Sequence, residues 1–248
     1  MQDDAYLKCI DPNCGLEYPI TNTNVQCEKG HLLDVKYKNK PSTDLKEIFY
    51  KRRNPQGNIF NESGVWRFRE LLNFCQIDTE NIEECSKYLV SLDGAEGRLS
   101  KPYRMSKAAE LIGMSNDNLW LQPEGYNPSG SFKDNGMATA VTHAKMIGAK
   151  KIVCASTGNT SAAAGMFAAN EGINCDVYIP AGQIAPGKLS QAYQYGSQIL
   201  EVDGNFDDAL KQSLDDAQNH GGYTVNSINP FRIEGQKTIP IRALEYLD

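Results

Sequence analysis

The run Asn127-Pro128-Ser129-Gly130-Ser131-Phe132-Lys133-Asp134 puts a lysine just after a Pro/Gly break and inside the first turn of a predicted helix. Ser131 is placed to N-cap that helix, and Asp134, three residues on, stands where a capping box carries its acidic or amide side chain. The unpaired amides and macrodipole of a helix start disfavour a cation, so the Lys133 ammonium is expected to lose its proton more readily than an ordinary lysine. A neutral amine is what Schiff-base chemistry needs. A solvated surface lysine is the plainer alternative. The second run, Ser156-Thr157-Gly158-Asn159-Thr160-Ser161, joins a predicted strand to a helix and aims backbone amides and hydroxyls at one point. It suits a carboxylate or phosphate beyond the carboxyl end of a strand, and it equally suits simple helix capping. Third, Cys9, Cys14, Cys27 and His31 follow a C-x4-C … C-x3-H pattern. Three thiolates and an imidazole can close a tetrahedral zinc site, the alternative being a metal-free ribbon. A fourth run, Gly182 to Lys188, fits G-x4-G-K after a strand, but the next residue is Leu189 where a P-loop needs Ser or Thr, and Pro186 removes an amide from the cradle. The ATPase reading is rejected.

The elements that must position these residues follow from periodicity. Residues 1–38 read as a small ribbon of short strands around the cysteines, with turns at Pro12-Asn13 and Lys29-Gly30. Residues 41–89 are charged and read as a linker and wrapping arm rather than as core, with a helical stretch over 66–74. A short strand is expected over 118–122, followed by a helix over 131–148 with Met137, Ala140, Val141 and Ala144 on one face. His143 and His220 are expected to face solvent from their helices, and Tyr126 to pack beside the lysine loop. Strands at 151–155, 175–179, 198–202 and 223–225 then alternate with helices at 160–170, 187–195 and 205–218. Four strands and three crossover helices imply a parallel sheet covered on both faces. A last helical stretch is expected over 236–246.

Composition sets the outer bounds. The 248 residues carry 31 acids against 25 bases, a net charge of −6, so a nucleic-acid polyanion is a poor partner. Residues 1–40 offer no basic stripe, which disfavours a zinc-ribbon nucleic-acid module. The longest small-apolar stretch, 162–169, is too short for a bilayer, and the acidic start Met1-Gln2-Asp3-Asp4 is unlike a basic-then-apolar leader. A cytoplasmic protein is expected. Seven cysteines is an odd count, and Cys75, Cys85, Cys154 and Cys175 are scattered as reduced interior thiols would be.

Five blocks now stand in one order: 64–72 (GVWRFRELL), 127–137 (NPSGSFKDNGM), 155–162 (ASTGNTSA), 183–189 (QIAPGKL) and 229–237 (NPFRIEGQK). Together they resemble the threonine synthases, fold-type-II enzymes dependent on pyridoxal phosphate. The resemblance implies an α/β fold of the tryptophan synthase β-like kind, with parallel sheets, helices on both faces and the small ribbon-like segment in front. It implies a ribbon at 1–40, a linking arm at 41–92, an incomplete large catalytic domain from 93–136 and 226–248, and a small α/β domain at 137–225. Lys133 matches the lysine that condenses with the cofactor and shuttles protons, and Asn159 the asparagine that meets its phenolic oxygen. Ser156, Thr157 and Thr160 match the loop for the substrate carboxylate and part of its phosphate. Asn226 and Arg232 match residues that contact that phosphate, a role suited to the arginine fork. The implied reaction is a lyase step in threonine biosynthesis, from O-phospho-L-homoserine and water to L-threonine and phosphate.

There are three departures. The family's Glu-Gly-Asn-Thr-Pro stretch is here Glu96-Gly97-Arg98-Leu99-Ser100-Lys101-Pro102, and Asn135 stands where arginine is common. The glycine loop for the cofactor phosphate is expected beyond Asp248, so the chain reads as the N-terminal portion of a longer enzyme. Two alternatives stay open: a cysteate synthase-like β-replacement on phosphoserine, and a catalytically silent paralogue that binds phosphorylated ligands. The expected partner is a small-molecule substrate. A homodimer is admitted, although nothing in the sequence fixes the oligomeric state.

Overall fold

The computed structural model describes residues 4–39, 41, 44–75, 87–116, 118–182 and 186–247. Met1 to Asp3 of the acidic start, Cys85, and Gln183 to Ala185 of the QIAPGKL run lie outside the described residues. Three strands open the chain: β1 (Ala5–Cys9), β2 (Glu17–Pro19) and β3 (Leu33–Tyr37), antiparallel in the order β2-β1-β3. Alternation along β1 turns Ala5, Leu7 and Cys9 inward, and the register sets Leu7 against Val35 and Cys9 against Leu33.

The next segment overturns the expectation of an arm outside the core. Helix α1 (Leu45–Arg52) is capped by Asp44, α2 (Ile59–Glu62) by Asn58, and a 3₁₀ stretch over Trp66–Leu71 follows. Val65, Trp66, Phe68 and Leu72 are fully buried, and the Trp66 indole N–H donates to the Val90 carbonyl at 2.8 Å. The arginines and glutamates between these apolar residues raise the charge of the stretch without keeping it at the surface. Arg52 pairs with Glu70, and the buried Arg69 donates to Asn61 at 2.8 Å. A short antiparallel pair, β4 (Tyr103–Arg104) with β5 (Trp120–Leu121), encloses α3 (Ser106–Leu111).

The site-bearing half begins with α4 (Lys133–Met146), buried at every residue from Asp134 to Ala144. Then come β6 (Lys151–Ala155), α5 (Asn159–Glu171), β7 (Asn174–Pro180), α6 (Pro186–Gln194), β8 (Gln198–Val202), α7 (Phe206–Asn219) and β9 (Tyr223–Thr224). All four strands are parallel, in the order β8-β7-β6-β9. Their alternate residues feed two cores. Ile152, Cys154, Val177 and Ile179 join Ala164 and Phe167 of α5, while Val153, Ala155 and Tyr178 join Ala209 of α7. The sheet is therefore covered on both faces, as two-sided burial of its strands requires. The chain steps from β6 outward to β7 and β8, then returns across α7 to pair β9 on the other side of β6. Strand order reverses there, and open α/β sheets bind ligands at such a reversal.

Two helices close the chain, α8 (Pro230–Gln236) and α9 (Thr238–Leu247), where one helix over 236–246 was expected. The start at Pro230 has a local cause: Asn229 caps through the Phe231 and Arg232 amides, and proline is preferred at the first helical position. Helix α8 packs so closely on α4 that a Cβ on Gly235 would lie 1.9 Å from the Asn135 carbonyl oxygen. His143 corrects a second expectation. It is fully buried rather than solvent-facing, stacked on Phe231 with ring centroids 3.5 Å apart and hydrogen-bonded at both ring nitrogens. Among the described residues no helix is long and apolar enough to cross a membrane.

Candidate active site

Lys133 opens α4, but the loop before it is built differently from the capping box read in the sequence. The N-cap position is Phe132, without a side-chain cap, and Ser131 Oγ accepts from the Lys133 amide at 3.3 Å and lies 3.4 Å from the Ser129 hydroxyl. Asp134 turns backward instead, accepting from the Ser129 amide at 2.7 Å and from the Ser129 hydroxyl. Gly130, at φ +79°, makes the tight turn that this requires. Lys188 of α6 donates to the Ser129 carbonyl at 2.9 Å, so the lysine loop is pinned by the APGKL segment. Asn127 fixes the other end: its Oδ1 accepts from the Gly97 amide at 2.7 Å. At Asn135, where arginine was the expectation from resemblance, a guanidinium arrives from elsewhere in the chain. Arg242 Nη1 donates to Asn135 Oδ1 at 3.1 Å, and Nη2 meets Glu124 at 2.8 Å.

Half-buried Lys133 has its pKa lowered, first by burial and then by the positive charge of Arg232. The direction is the one the sequence predicted. Its leading causes are desolvation and a second cation rather than the helix end.

Arg232 is 0% exposed, and its own pKa is pulled down to about 10 by burial. Its Nη1 donates to the Val225 carbonyl at 2.8 Å, while Nε and Nη2 are buried donors without a protein partner. Two unspent charged donors in a dry place are costly unless an anion takes them. Its positive charge also acts on the buried Cys154 of β6.

At that strand end the turn over 156–160 leads into α5. The Ser156 amide donates to the Tyr178 carbonyl at 3.2 Å, and Ser156 Oγ accepts from the Gly158 amide at 3.1 Å. The N-cap of α5 is Gly158, with no side-chain cap, so none of the Ser, Thr or Asn side chains here is used for capping. The opening amides of this 13-residue helix therefore have no side-chain cap, an arrangement that suits an anion. Asn159 is exposed, and Ser156, Thr157 and Thr160 are partly exposed. Asn226, after β9, clamps this corner. Its Oδ1 accepts from the Ala155 amide at 3.0 Å and its Nδ2 donates to the Ala155 carbonyl at 2.9 Å, leaving one N–H to spare. Helices α4 and α5 pack on each other, so Lys133 and Asn159 open neighbouring helices. Among the described residues no hydrogen bond joins the two side chains. Glu124 and Arg242 are supporting residues that sequence reading missed, while Asp134 and Lys188 were singled out there in other roles. Arg242 meets Asn135 and Glu124 from more than a hundred residues away, with no local spacing to reveal it. The ligand atoms of Cys9, Cys14, Cys27 and His31 also come together, within 4.8 Å of one another, in the ribbon.

Comparison with known proteins agrees with this geometry. The family described as "Pyridoxal-phosphate dependent enzyme" matches residues 101–247. The threonine synthase of Methanocaldococcus jannaschii is 38% identical over 241 residues, covering 97% of this chain and 54% of that protein. The threonine synthase of Bacillus sp. is 53% identical over 129 residues, covering 52% of this chain and 37% of that protein. Among solved structures, maize serine racemase superposes with a TM-score of 0.53 at 23% identity, over 60% of this chain and 44% of that one. That likeness shows the fold, the α/β fold-type-II architecture expected from the sequence. The chain spans about half the length of the curated relatives it matches over most of its own length. Because that family model matches residues 101–247, more than half of the chain, the chain belongs to the pyridoxal-phosphate dependent enzymes.

Proposed function

We propose that the protein to which this chain belongs is a threonine synthase, a lyase that turns O-phospho-L-homoserine and water into L-threonine and phosphate. The observation that carries this reading is Arg232, whose Nε and Nη2 are buried and unspent beside a lysine of lowered pKa. Its relatives at 38% and 53% identity, described as threonine synthases, supply the reaction class. Pyridoxal phosphate, when bound, supplies an electron sink for carbanionic charge next to the amino group.

The roles given to the chain's own residues are those the resemblance implies, and their positions support them. Lys133, whose Nζ gives up its proton more readily than an ordinary lysine's, would be the residue that holds the cofactor aldehyde and moves protons at the substrate. Asn159, exposed at the start of α5, is the donor to the cofactor's phenolic oxygen. The opening amides of α5, with the hydroxyls of Ser156, Thr157 and Thr160, hold the substrate carboxylate. Arg232 takes the substrate phosphate through its two spare donors, and the remaining Asn226 N–H adds a third. Holding both anionic ends fixes the carbon chain between them in one orientation for proton transfer. The small-molecule substrate and a cytoplasmic location go with this reading.

The test has two steps. Adding pyridoxal phosphate to the purified full-length protein should raise an absorbance band near visible wavelengths that is absent from Lys133→Ala. Phosphate release should then be fast with phosphohomoserine and slow with phosphoserine. The reverse preference would replace the proposal with a β-replacement activity, and no lysine-dependent band would leave a phospho-ligand-binding protein without this chemistry.

A further inference from the structure

We propose that the N-terminal ribbon is a structural zinc site with Cys9, Cys14, Cys27 and His31 as its four ligands, and that the metal fixes the two helices carrying Lys133 and Arg232. The proposal rests on the ribbon alone and is independent of the reaction assigned above.

Two turns face each other across the ribbon. In the first, the Cys9 amide donates to Leu16 at 2.9 Å and the Cys14 amide to Asp11 at 3.1 Å. In the second, the Cys27 amide donates to His31 and the Gly30 amide to Cys27, both at 2.8 Å, with Gly30 at φ +80°.

Two of the six ligand–ligand distances have the length of a tetrahedral edge and the rest are close to it. Cys9 Sγ lies 3.5 Å from His31 Nδ1, Cys14 Sγ lies 3.9 Å from Cys27 Sγ, and all four ligand atoms fall within 4.8 Å of one another. Zinc–sulfur bonds of about 2.3 Å and zinc–nitrogen bonds of about 2.0 Å give tetrahedral edges of roughly 3.5 to 3.8 Å. A disulfide would bring two sulfurs to about 2.05 Å, whereas all three thiols are free. The far ring nitrogen of His31, Nε2, faces Asp11 Oδ2 at 3.5 Å. A carboxylate behind the imidazole is the usual means of orienting a metal-binding histidine. With Cys9 and Cys27 buried and all four positions supplied by protein, the site has no open position for a substrate, which makes it structural rather than catalytic.

The fold gives such a site a task. Strands of five, three and five residues are a thin frame for the loops between them, and small units of this size need a staple. The stapled loops then reach the catalytic half. Ile20, between Cys14 and Cys27, accepts from His143 Nε2 of α4 at 2.8 Å. Tyr37, at the end of the strand that follows His31, donates its hydroxyl to Glu234 of α8.

The experiment is metal analysis of the full-length protein, purified without chelators or metal-affinity steps, by inductively coupled plasma mass spectrometry. About one zinc per chain is expected. Cys14→Ser and His31→Ala should each lower that content at least about tenfold, while His31→Cys, which keeps four ligands, should retain it. Exchange with cobalt should give thiolate charge-transfer and tetrahedral d–d bands that shift in His31→Cys. Should the depleted variants fail to fold, the metal content and cobalt spectrum of the unaltered protein still decide. Absence of stoichiometric metal, a native metal other than zinc, or zinc that persists in the Cys14→Ser/His31→Ala double variant overturns the site. Zinc whose removal leaves the melting temperature of the whole protein unchanged overturns its role in fixing the helices.

Discussion

Arg232 has two effects, and they can be separated by substitution. Its charge helps lower the Lys133 pKa, and its spare fork faces the space proposed for phosphate. Arg232→Lys keeps the charge and loses the fork. Losing one or two charge-assisted hydrogen bonds of about 1.5 to 3 kcal/mol should raise KM for the phosphorylated substrate by at least about tenfold. Arg232→Gln removes the charge as well, so the Lys133 pKa should rise, and the pH midpoint for cofactor capture, followed by absorbance, should move upward. His143 yields a prediction of a different kind. Burial lowers its pKa to about 4 from an unfolded value of 6.5, so between these values the unfolded chain binds a proton that the native state refuses. The stability this residue contributes is therefore complete above pH 6.5 and declines as pH falls toward 4. Between pH 6.5 and 5, above most carboxylate titrations, denaturant unfolding should show a loss of about 2 kcal/mol that His143→Phe abolishes. The place of Lys133 at a helix opening was legible in its loop, since a Pro/Gly break is local. The cation that acts on it was not, because Arg232 reaches it only through tertiary packing. His143 was misread for the same reason. Helix α4 is buried all round, so its polar face has no outward direction, and the histidine's partners come from Ile20 and Tyr223.

At the level of elements, the strands over 151–155 and 198–202 were legible to the residue, and the three crossover helices to within one position at either end. Short, two-sided apolar runs set between capped helices leave little latitude. The pair of two-residue strands β4 and β5 was only half visible, and while the helical stretch at Trp66 was expected, its burial was hidden by its own charged residues. The contact most sensitive to sequence is that between α4 and α8. A methyl group on Gly235 would meet the Asn135 carbonyl oxygen at 1.9 Å and Thr139 Oγ1 at 2.4 Å. Backbone cannot yield as a flexible side chain would, so Gly235→Ala should cost about 3 kcal/mol in denaturant unfolding. Because the same shift would displace Arg232, the variant should also bind substrate phosphate more weakly than its stability alone explains.

On the scale of the molecule, one hydrophobic cluster runs from Leu7, Cys27 and Val35 of the ribbon through Trp66 and Phe74 to Met137 and Phe231. The ribbon and the catalytic helices should therefore unfold in a single transition, with far-ultraviolet circular dichroism and tryptophan fluorescence changing together. Two separate transitions would show that the ribbon is an independent unit. The net charge of −6 on these 248 residues leaves the corner proposed to bind an anion dependent on locally placed cations and amides. The clamp of Asn226 on Ala155 ties together strand ends that lie 71 residues apart in sequence. The amide of Ala155 thus owes its protection from deuterium to one side chain rather than to a neighbouring strand, which makes that single hydrogen a resident gauge of how often the seam between β6 and β9 parts. Its exchange rate should slow when an anion bridges the two ends, and so report occupancy without any label or turnover.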